Sequence, residues 1–451
     1  MAEKREAKQK NARQVALEVL LRCEGQGAWS DAALKDAVRQ ADLSRQDSAL
    51  CSRICYGAQQ NKLLLDSWIC WLSTVAPEKL EPPLRVALWM GLYQIALLDR
   101  IPDSAAVNET VKLCRSACRN PNSSKLANGI LRSFCRKREE LPQPESLSVA
   151  YSHPQWLVDC LGEALGAGGD LEGLLRANNA QPKTTIQTNT LHTTPEALLS
   201  ALEEDRVQAR PHPWLPGCLE LSGTGDLEGL DAFRRGDFFV QDAAARLAVL
   251  AAEPKPGMQV LDCCGAPGGK TFSAALLMGD EGRILSCDIH PGKVKLIRTG
   301  ARRLGLNSVE PRLQNAKEFD PELEGAFDLV IADVPCSGLG IIRKKPDIRY
   351  KDPAQLAGLP QVQRAILDNV SRYVKPGGGL LYATCTVLKR ENEDVVTGFL
   401  ASHGDFAPEP LRLPGPIGQV EAGMLTLWPH IHGTDGFFMA KLRRRERSED
   451  R

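Results

Sequence analysis

Several signatures are missing from this chain, and each absence removes a class of function. Lysine plus arginine equals aspartate plus glutamate at 56 each, so no net charge draws a polyanion to the whole molecule and only local patches can do so. No run approaches the roughly 20 apolar residues that cross a bilayer. The start, Met1-Ala2-Glu3-Lys4-Arg5-Glu6, is charged and leads into no apolar segment, so neither a membrane span nor a signal peptide is expected. The dinucleotide fingerprint G-x-G-x-x-G and the phosphate-cradling G-x-x-x-x-G-K-[ST] are both absent, which argues against a nicotinamide dehydrogenase and a nucleotide triphosphatase. There is no C-x-x-C among the 14 cysteines and no histidine cluster, so no metal is expected. Scattered thiols in a chain of 451 residues fit reduced, mostly buried cysteines in the cytoplasm.

What is present divides the chain into three regions. Residues 1–145 carry helical periodicity throughout, with Val15, Leu17, Val19, Leu20 and Leu21 on one apolar face and Pro82-Pro83 where a helix would start. An all-α bundle is expected. Near its end lie Lys112, Arg115, Arg119, Lys125, Arg132, Arg136, Lys137 and Arg138 with no acid between Thr110 and Arg138. A solvated helix face would explain them; so would a surface for nucleic-acid phosphates, which we favour because uncompensated like charges repel. Residues 146–235 change composition. A strand is expected around Lys183–Thr190 and a helix from Thr194, with a loop punctuated by Pro211, Pro213, Pro216 and Gly217, so this is a small α/β connecting region. Asn189 in that strand could face RNA or simply sit on a sheet edge.

Residues 236–451 alternate strands and helices. Gln259–Leu261 reads as a buried strand, followed by Asp262-Cys263-Cys264-Gly265-Ala266-Pro267-Gly268-Gly269-Lys270-Thr271 and a helix. A strand, a glycine-rich turn and a helix present backbone N–H groups to a ligand. Later strands end in Asp288, in Asp333 and before Cys385, so a mostly parallel sheet with helices on both faces is expected. In such sheets ligands bind at the carboxyl ends of the strands, where these residues fall. Asp288, about twenty residues past the glycine turn, suits ribose hydroxyls; it could instead cap the next helix. Asp262 can orient the loop or a cationic group. Asp333-Val334-Pro335-Cys336-Ser337-Gly338 and Tyr382-Ala383-Thr384-Cys385-Thr386 place two thiols at strand ends beside an acid.

Taken in this order, D-x-C-x-A-P-G-G-K-T, D-x-P-C-S-G and A-T-C-T resemble the RNA cytosine-C5 methyltransferases of the Nol1/Nop2/Sun family. Further similar stretches are Phe239–Asp242, the loop Gly340–Ile348 and Asp435–Leu442. Asn11-Ala12-Arg13 and Ser52–Gly57 resemble a NusB-type RNA-binding domain. The resemblance implies a multidomain chain: a NusB-like helical domain (1–145), the connecting region (146–235) and a Rossmann-like S-adenosylmethionine-dependent methyltransferase domain (236–451). It implies that Cys264, Gly265, Ala266, Pro267, Gly268, Gly269, Lys270, Asp288 and Asp333 contact S-adenosylmethionine. The family commonly has an acid where this chain has Asn315; its amide carbonyl can still accept from the adenine amino group.

The resemblance also assigns the nucleophile to Cys385, adduct stabilisation to Asp333, release to Cys336 and an electrostatic role to Lys270. Arg343, Lys344 and Lys345, with Arg349 and Lys351, form a basic loop suited to RNA phosphates, alongside Lys112, Arg115, Arg119, Arg132 and Arg136. The expected partner is 16S rRNA or a small-subunit assembly intermediate, the expected target cytosine 967, and the expected state a cytoplasmic monomer. Other rRNA or tRNA sites, a non-catalytic assembly factor, and a DNA cytosine-C5 enzyme, in which the Pro-Cys thiol is itself the nucleophile, are the alternatives.

Overall fold

The computed structural model describes residues 10–26, 30–222 and 226–446. The Met1–Glu6 segment and positions 223–225 of the connecting region lie outside the described residues. The chain divides into two compact units. The first comprises residues up to Gly162, Asp170–Asn179 and Lys344–Lys351; the second comprises Glu163–Gly169, Ala180–Arg343 and the chain from Asp352 onward. No helix among the described residues is long and apolar enough to cross a membrane.

The first unit is helical: α1 (Ala12–Gln26), α2 (Ser30–Ala41), α3 (Arg45–Gln60), α4 (Lys62–Leu72), α5 (Pro82–Leu97), α6 (Asp103–Ala117) and α7 (Ser123–Lys137). Ser44 caps α3 by accepting from the Asp47 N–H, and Pro82 opens α5, where its missing N–H costs nothing. Helix α5 is apolar almost all round, so it is the central element; Val86, Ala87, Leu88, Trp89, Met90 and Leu92 are buried on it. Trp89 satisfies its indole N–H on Asp66, at 2.7 Å.

Segment 344–351, expected to be a basic RNA-facing loop, corrects one reading. Arg349 is wholly buried in the first unit. Its Nη1 donates to the carbonyls of Gln60 and Ser152 and to Asn179 Oδ1, each at 3.0 Å. Burial lowers its guanidinium to about 10, despite help from Tyr350. A cation pays for this desolvation only where carbonyls compensate, so Arg349 is an anchor and not a phosphate ligand. Arg349→Ala is expected to strand those acceptors and open a void, lowering stability by roughly 2–4 kcal/mol in urea melts. An unchanged midpoint would contradict the anchor.

The second unit opens with a four-stranded antiparallel sheet formed by β1 (Thr184–Thr188), β2 (Gln208–Pro211), β3 (Cys218–Ser222) and β4 (Phe238–Val240), ordered β2-β3-β1-β4. Its core joins Ile186, Leu219 and Phe238 to Leu198 and Leu202 of the helix Pro195–Glu204. Asn189 neither faces RNA nor sits on an open edge: it is fully buried, and its amide donates to the carbonyls of Gly236 and Leu304, both at 2.9 Å.

The larger sheet contains β5 (Gln259–Asp262), β6 (Arg283–Asp288), β7 (Val309–Leu313), β8 (Phe327–Asp333), β9 (Val374–Thr384), β10 (Phe406–Pro408), β13 (Met424–Leu427) and β14 (Phe437–Arg444); β11 (Leu411–Arg412) and β12 (Gln419–Val420) pair separately. The order is β10-β14-β9-β8-β5-β6-β7, with β13 on β14. Strands β9, β8, β5, β6 and β7 are parallel and β14 runs antiparallel to β9. Side chains alternate across it. Val260, Ile284, Ile331 and Leu381 pack one way against Leu247, Ala274 and Ile297, while Leu261, Leu285, Val330 and Leu380 pack the other way against Leu367, Val396 and Phe399. Both faces are covered, which is why these strands read as unbroken apolar runs.

Candidate active site

The carboxyl ends of β5, β6, β8 and β9 gather the motifs. After β5 the chain turns through Cys263–Gly268 and enters the helix Gly269–Leu277. Gly268 has φ of +120° and a Cβ there would meet Phe272 at 2.1 Å, so no other residue fits without rearrangement. The Gly265 N–H donates to the Cys287 carbonyl at 2.7 Å, stitching the turn to β6. The Ala266–Pro267 peptide is cis.

Asp262 is wholly buried beneath this turn and accepts from Thr271 Oγ1 at 2.7 Å; that hydroxyl also meets Ser286 Oγ at 2.7 Å. Of the two roles open to it, orienting the loop is the one its surroundings allow. Burial raises its carboxyl to about 6, against the opposing Thr271 hydrogen bond. The unfolded value is near 3.9. Between these values the folded state binds the proton more tightly, so this group's contribution is most favourable at acid pH and is lost as pH rises through about 6. The span corresponds to about 3 kcal/mol. Asp262→Asn keeps an acceptor for Thr271 and removes the titration. The stability difference, variant minus wild type, is expected to grow by about that amount between pH 4 and 7.5; a pH-independent difference would refute the assignment.

Asp288 ends β6, nearly buried. One oxygen accepts from the His290 N–H at 2.9 Å and the other lies 3.7 Å from Lys293 Nζ. Beyond it opens a cleft of about 530 Å³ lined by Ile289, Leu313, Gln314, Asn315, Glu318 and Phe319. Ile289 and Leu313, 51% and 56% exposed, give it an apolar wall, while Arg312, Glu318 and Asp320 add charged groups to its rim. The Asn315 amide donates to Glu318 at 2.8 Å, and its carbonyl accepts from the Lys317 N–H at 3.2 Å. These residues suit an adenosine: an acid for the ribose, an apolar slot for the base, and polar atoms at its edge.

The two thiols are side by side. Cys336 Sγ and Cys385 Sγ are 3.2 Å apart at the ends of β8 and β9. The hydrogen bond to Cys385, burial and the Cys385 charge all push the Cys336 thiol well above its usual range, with the Glu391 carboxylate adding to the effect. Either sulfur of the pair can donate to the other. Lys270 Nζ meets Asp333 Oδ2 at 2.6 Å and lies 5.0 Å from the Phe437 ring centre. Burial alone would lower its ammonium; Asp333, then Asp262 and Cys385, outweigh that and hold it above its ordinary value. A cation thus stands against Asp333, close enough to Cys385 to feel its charge.

Behind the thiols the loops are locked together. The Gly340 N–H donates to the Cys385 carbonyl at 3.0 Å and the Gly436 N–H to the Gly340 carbonyl at 2.8 Å. A Cβ on Gly340 would lie 1.9 Å from the Gly436 carbonyl oxygen, so the backbones touch where only glycine permits. Arg343 is committed within the fold: its Nε donates to Asp435 at 2.7 Å and its side chain is 11% exposed, which leaves little of it for a phosphate. Lys345 is exposed, as are Lys112, Arg115, Arg119, Lys125, Arg132 and Arg136 on or beside α6 and α7. Lys112 pairs with Glu109 at 2.7 Å, a contact that solvent keeps weak.

Comparison with known proteins gives three family matches along the chain. Residues 249–443 match the family described as 16S rRNA methyltransferase RsmB/F, residues 10–136 the NusB family, and residues 153–228 the ferredoxin-like domain of RsmF/B-like methyltransferases. The probable ribosomal RNA small subunit methyltransferase B of Bacillus subtilis (strain 168) is 34% identical over 451 residues, 97% of this chain and 100% of that one. The ribosomal RNA small subunit methyltransferase B of Pectobacterium atrosepticum is 33% identical over 435 residues, 96% of this chain and 98% of its own. The solved structure of PH0851 superposes with a TM-score of 0.79 at 29% identity, covering 96% of this chain and 99% of that one. With the thiol pair, the glycine turn and the helical unit all inside these matches, the chain belongs to the RsmB/F family of 16S rRNA methyltransferases.

Proposed function

We propose that the protein transfers a methyl group from S-adenosylmethionine to C5 of a cytosine in 16S rRNA, with cytosine 967 as the target, through a covalent adduct on Cys385. The observation that carries this reading is the Cys336–Cys385 pair at 3.2 Å beside a Lys270–Asp333 ion pair. Three working parts are assigned: residues 1–145 and the exposed cations on α6 and α7 for RNA phosphates, 146–235 as connector, and 236–451 for chemistry. Residues Cys264–Lys270, Asp288, Asn315 and Asp333 would hold the cofactor, whose sulfonium supplies an electrophilic methyl group.

Cytosine C5 is a weak nucleophile. A Cys385 thiolate would form a bond to C6 and move the C5=C6 π pair to C5, which could then take the methyl group as the methyl–sulfonium bond breaks and its pair stays on sulfur. Asp333 accepts from the amino group beside N3 and so fixes the ring, and the Lys270 ammonium offsets the charge that gathers near N3 in the adduct. Once the Cys385 sulfur is bonded to carbon, it no longer offers a charge or a strong acceptor to Cys336. Two of the causes that push the Cys336 thiol up are then gone. Cys336 then loses its own proton to solvent and takes the C5 proton; the C5–H pair rebuilds C5=C6, and the S–C6 bond breaks to return Cys385 as thiolate. The target base must be single-stranded or drawn out of its stack, since neither face of C6 is open within a helix.

Bisulfite sequencing of 16S rRNA from cells with and without the gene tests the reading. Loss of protection at cytosine 967 alone supports it. Loss at a different rRNA or tRNA cytosine moves the target, and no loss anywhere favours an assembly factor without catalysis.

A further inference from the structure

Directly behind the thiol pair lies a buried polar cluster that the steps above do not use. Glu391 is wholly buried in the short turn that follows Cys385. Its Oε2 accepts from the Ser337 N–H at 2.9 Å and from Gln363 Nε2 at 2.8 Å. Gln363, also wholly buried, donates from the same nitrogen to the Pro335 carbonyl at 3.0 Å. The Glu391 carbonyl accepts from the Tyr382 hydroxyl at 2.6 Å. Ser337 Oγ donates to Thr386 Oγ1 at 2.8 Å, and Asn392 bridges Thr384 Oγ1 and the Thr386 carbonyl. Residues on both sides of Cys336 and on both sides of Cys385 are thus tied to one carboxylate and its neighbours.

A buried carboxylate is costly, and apolar side chains would close this space more cheaply if only packing were needed. The cluster fixes position instead. Pro335 and Ser337 flank Cys336, so holding their backbone fixes the thiol between them against Cys385. A charge left beside Cys336 also keeps that sulfur basic after Cys385 has been consumed, when a base is required.

We propose that Glu391, backed by Gln363, is a positioning residue that holds the Pro335–Ser337 turn against Cys385 and thereby governs release of the covalent RNA adduct. This rests on the reading of Cys336 as the releasing base. Glu391 touches no reacting atom; it acts through Cys336.

The test uses the full-length protein with a 16S rRNA fragment containing the target and S-adenosylmethionine. Glu391→Gln keeps an acceptor for Ser337 and Gln363 and removes the charge, so it is the variant least prone to misfold; its melting temperature is recorded alongside. The expected result is a denaturant-stable protein–RNA adduct that accumulates after methyl transfer, with steady-state turnover about tenfold slower. In the double variant Glu391→Gln/Cys336→Ala, adduct level and turnover should equal those of Cys336→Ala alone, because the two changes act on one step. A general loss of stability would instead slow the double variant further and build no adduct in the single one, and either finding overturns the proposal. If Cys336→Ala gathers adduct and Glu391→Gln does not, the clamp fails while the base assignment stands. If Cys336→Ala gathers none, the assignment of Cys336 falls and the proposal with it.

Discussion

Cys385→Ala is expected to bring turnover below detection, a loss of more than about 10⁴-fold, because the remaining groups bind and polarise a base whose C5 stays unreactive without the thiol adduct. The sulfur is not a structural prop. It sits half-buried at the end of β9, where alanine removes one atom and leaves the backbone bond from Gly340 to the Cys385 carbonyl in place. The cleft proposed for the adenosine lies at the ends of β6 and β7, with β8 and β5 between it and β9 in the sheet order. Binding of S-adenosylmethionine, followed by calorimetry, should therefore persist while methyl transfer and adduct both vanish. A Cys385→Ala protein that still methylates rRNA at the wild-type rate would remove Cys385 from the chemistry.

Legibility in the sequence followed the physics of each element. The glycine turn could be read because tight turns and close approaches leave few residue choices, and Gly268 and Gly340 meet that condition. The sheet could be read because strands buried on both faces must be apolar throughout. The two thiols stood out by their place at strand ends, though their separation could only be read once the strands were side by side. Charges were harder. Arg343 and Arg349 sit in one basic run with Lys344, Lys345 and Lys351, and a run of cations does not say which side chains turn inward. That depends on the carbonyls and acids brought together by folding, such as Asp435 for Arg343. Glu391 was invisible for the same reason. It stands in Lys389-Arg390-Glu391-Asn392-Glu393-Asp394, a stretch that reads as solvated surface, and only the fold carries it behind the thiols.

Cys336→Ala separates the two cysteine assignments most sharply. If the Pro-Cys sulfur were the nucleophile, as in DNA cytosine-C5 enzymes, this variant would form no adduct. If Cys336 is the releasing base, Cys385 can still attack C6 and C5 can still be methylated, but the C5 proton has no acceptor. β-Elimination then stalls, and the RNA stays bonded to the protein through denaturing electrophoresis. Steady-state turnover is expected to fall by about 10²–10⁴-fold, the usual worth of a positioned base, while close to one adduct per active protein builds up. The 3.2 Å contact supports the second outcome, since it puts Cys336 beside the bond that must break. Removing it also takes away the sulfur that Cys385 now faces, but the charge of Lys270 still favours a Cys385 thiolate, so attack on C6 should slow and not cease. Adduct in Cys336→Ala and none in Cys385→Ala would fix the order of events. The reverse pattern would exchange the roles, and adduct in neither would take covalent catalysis out of the reading.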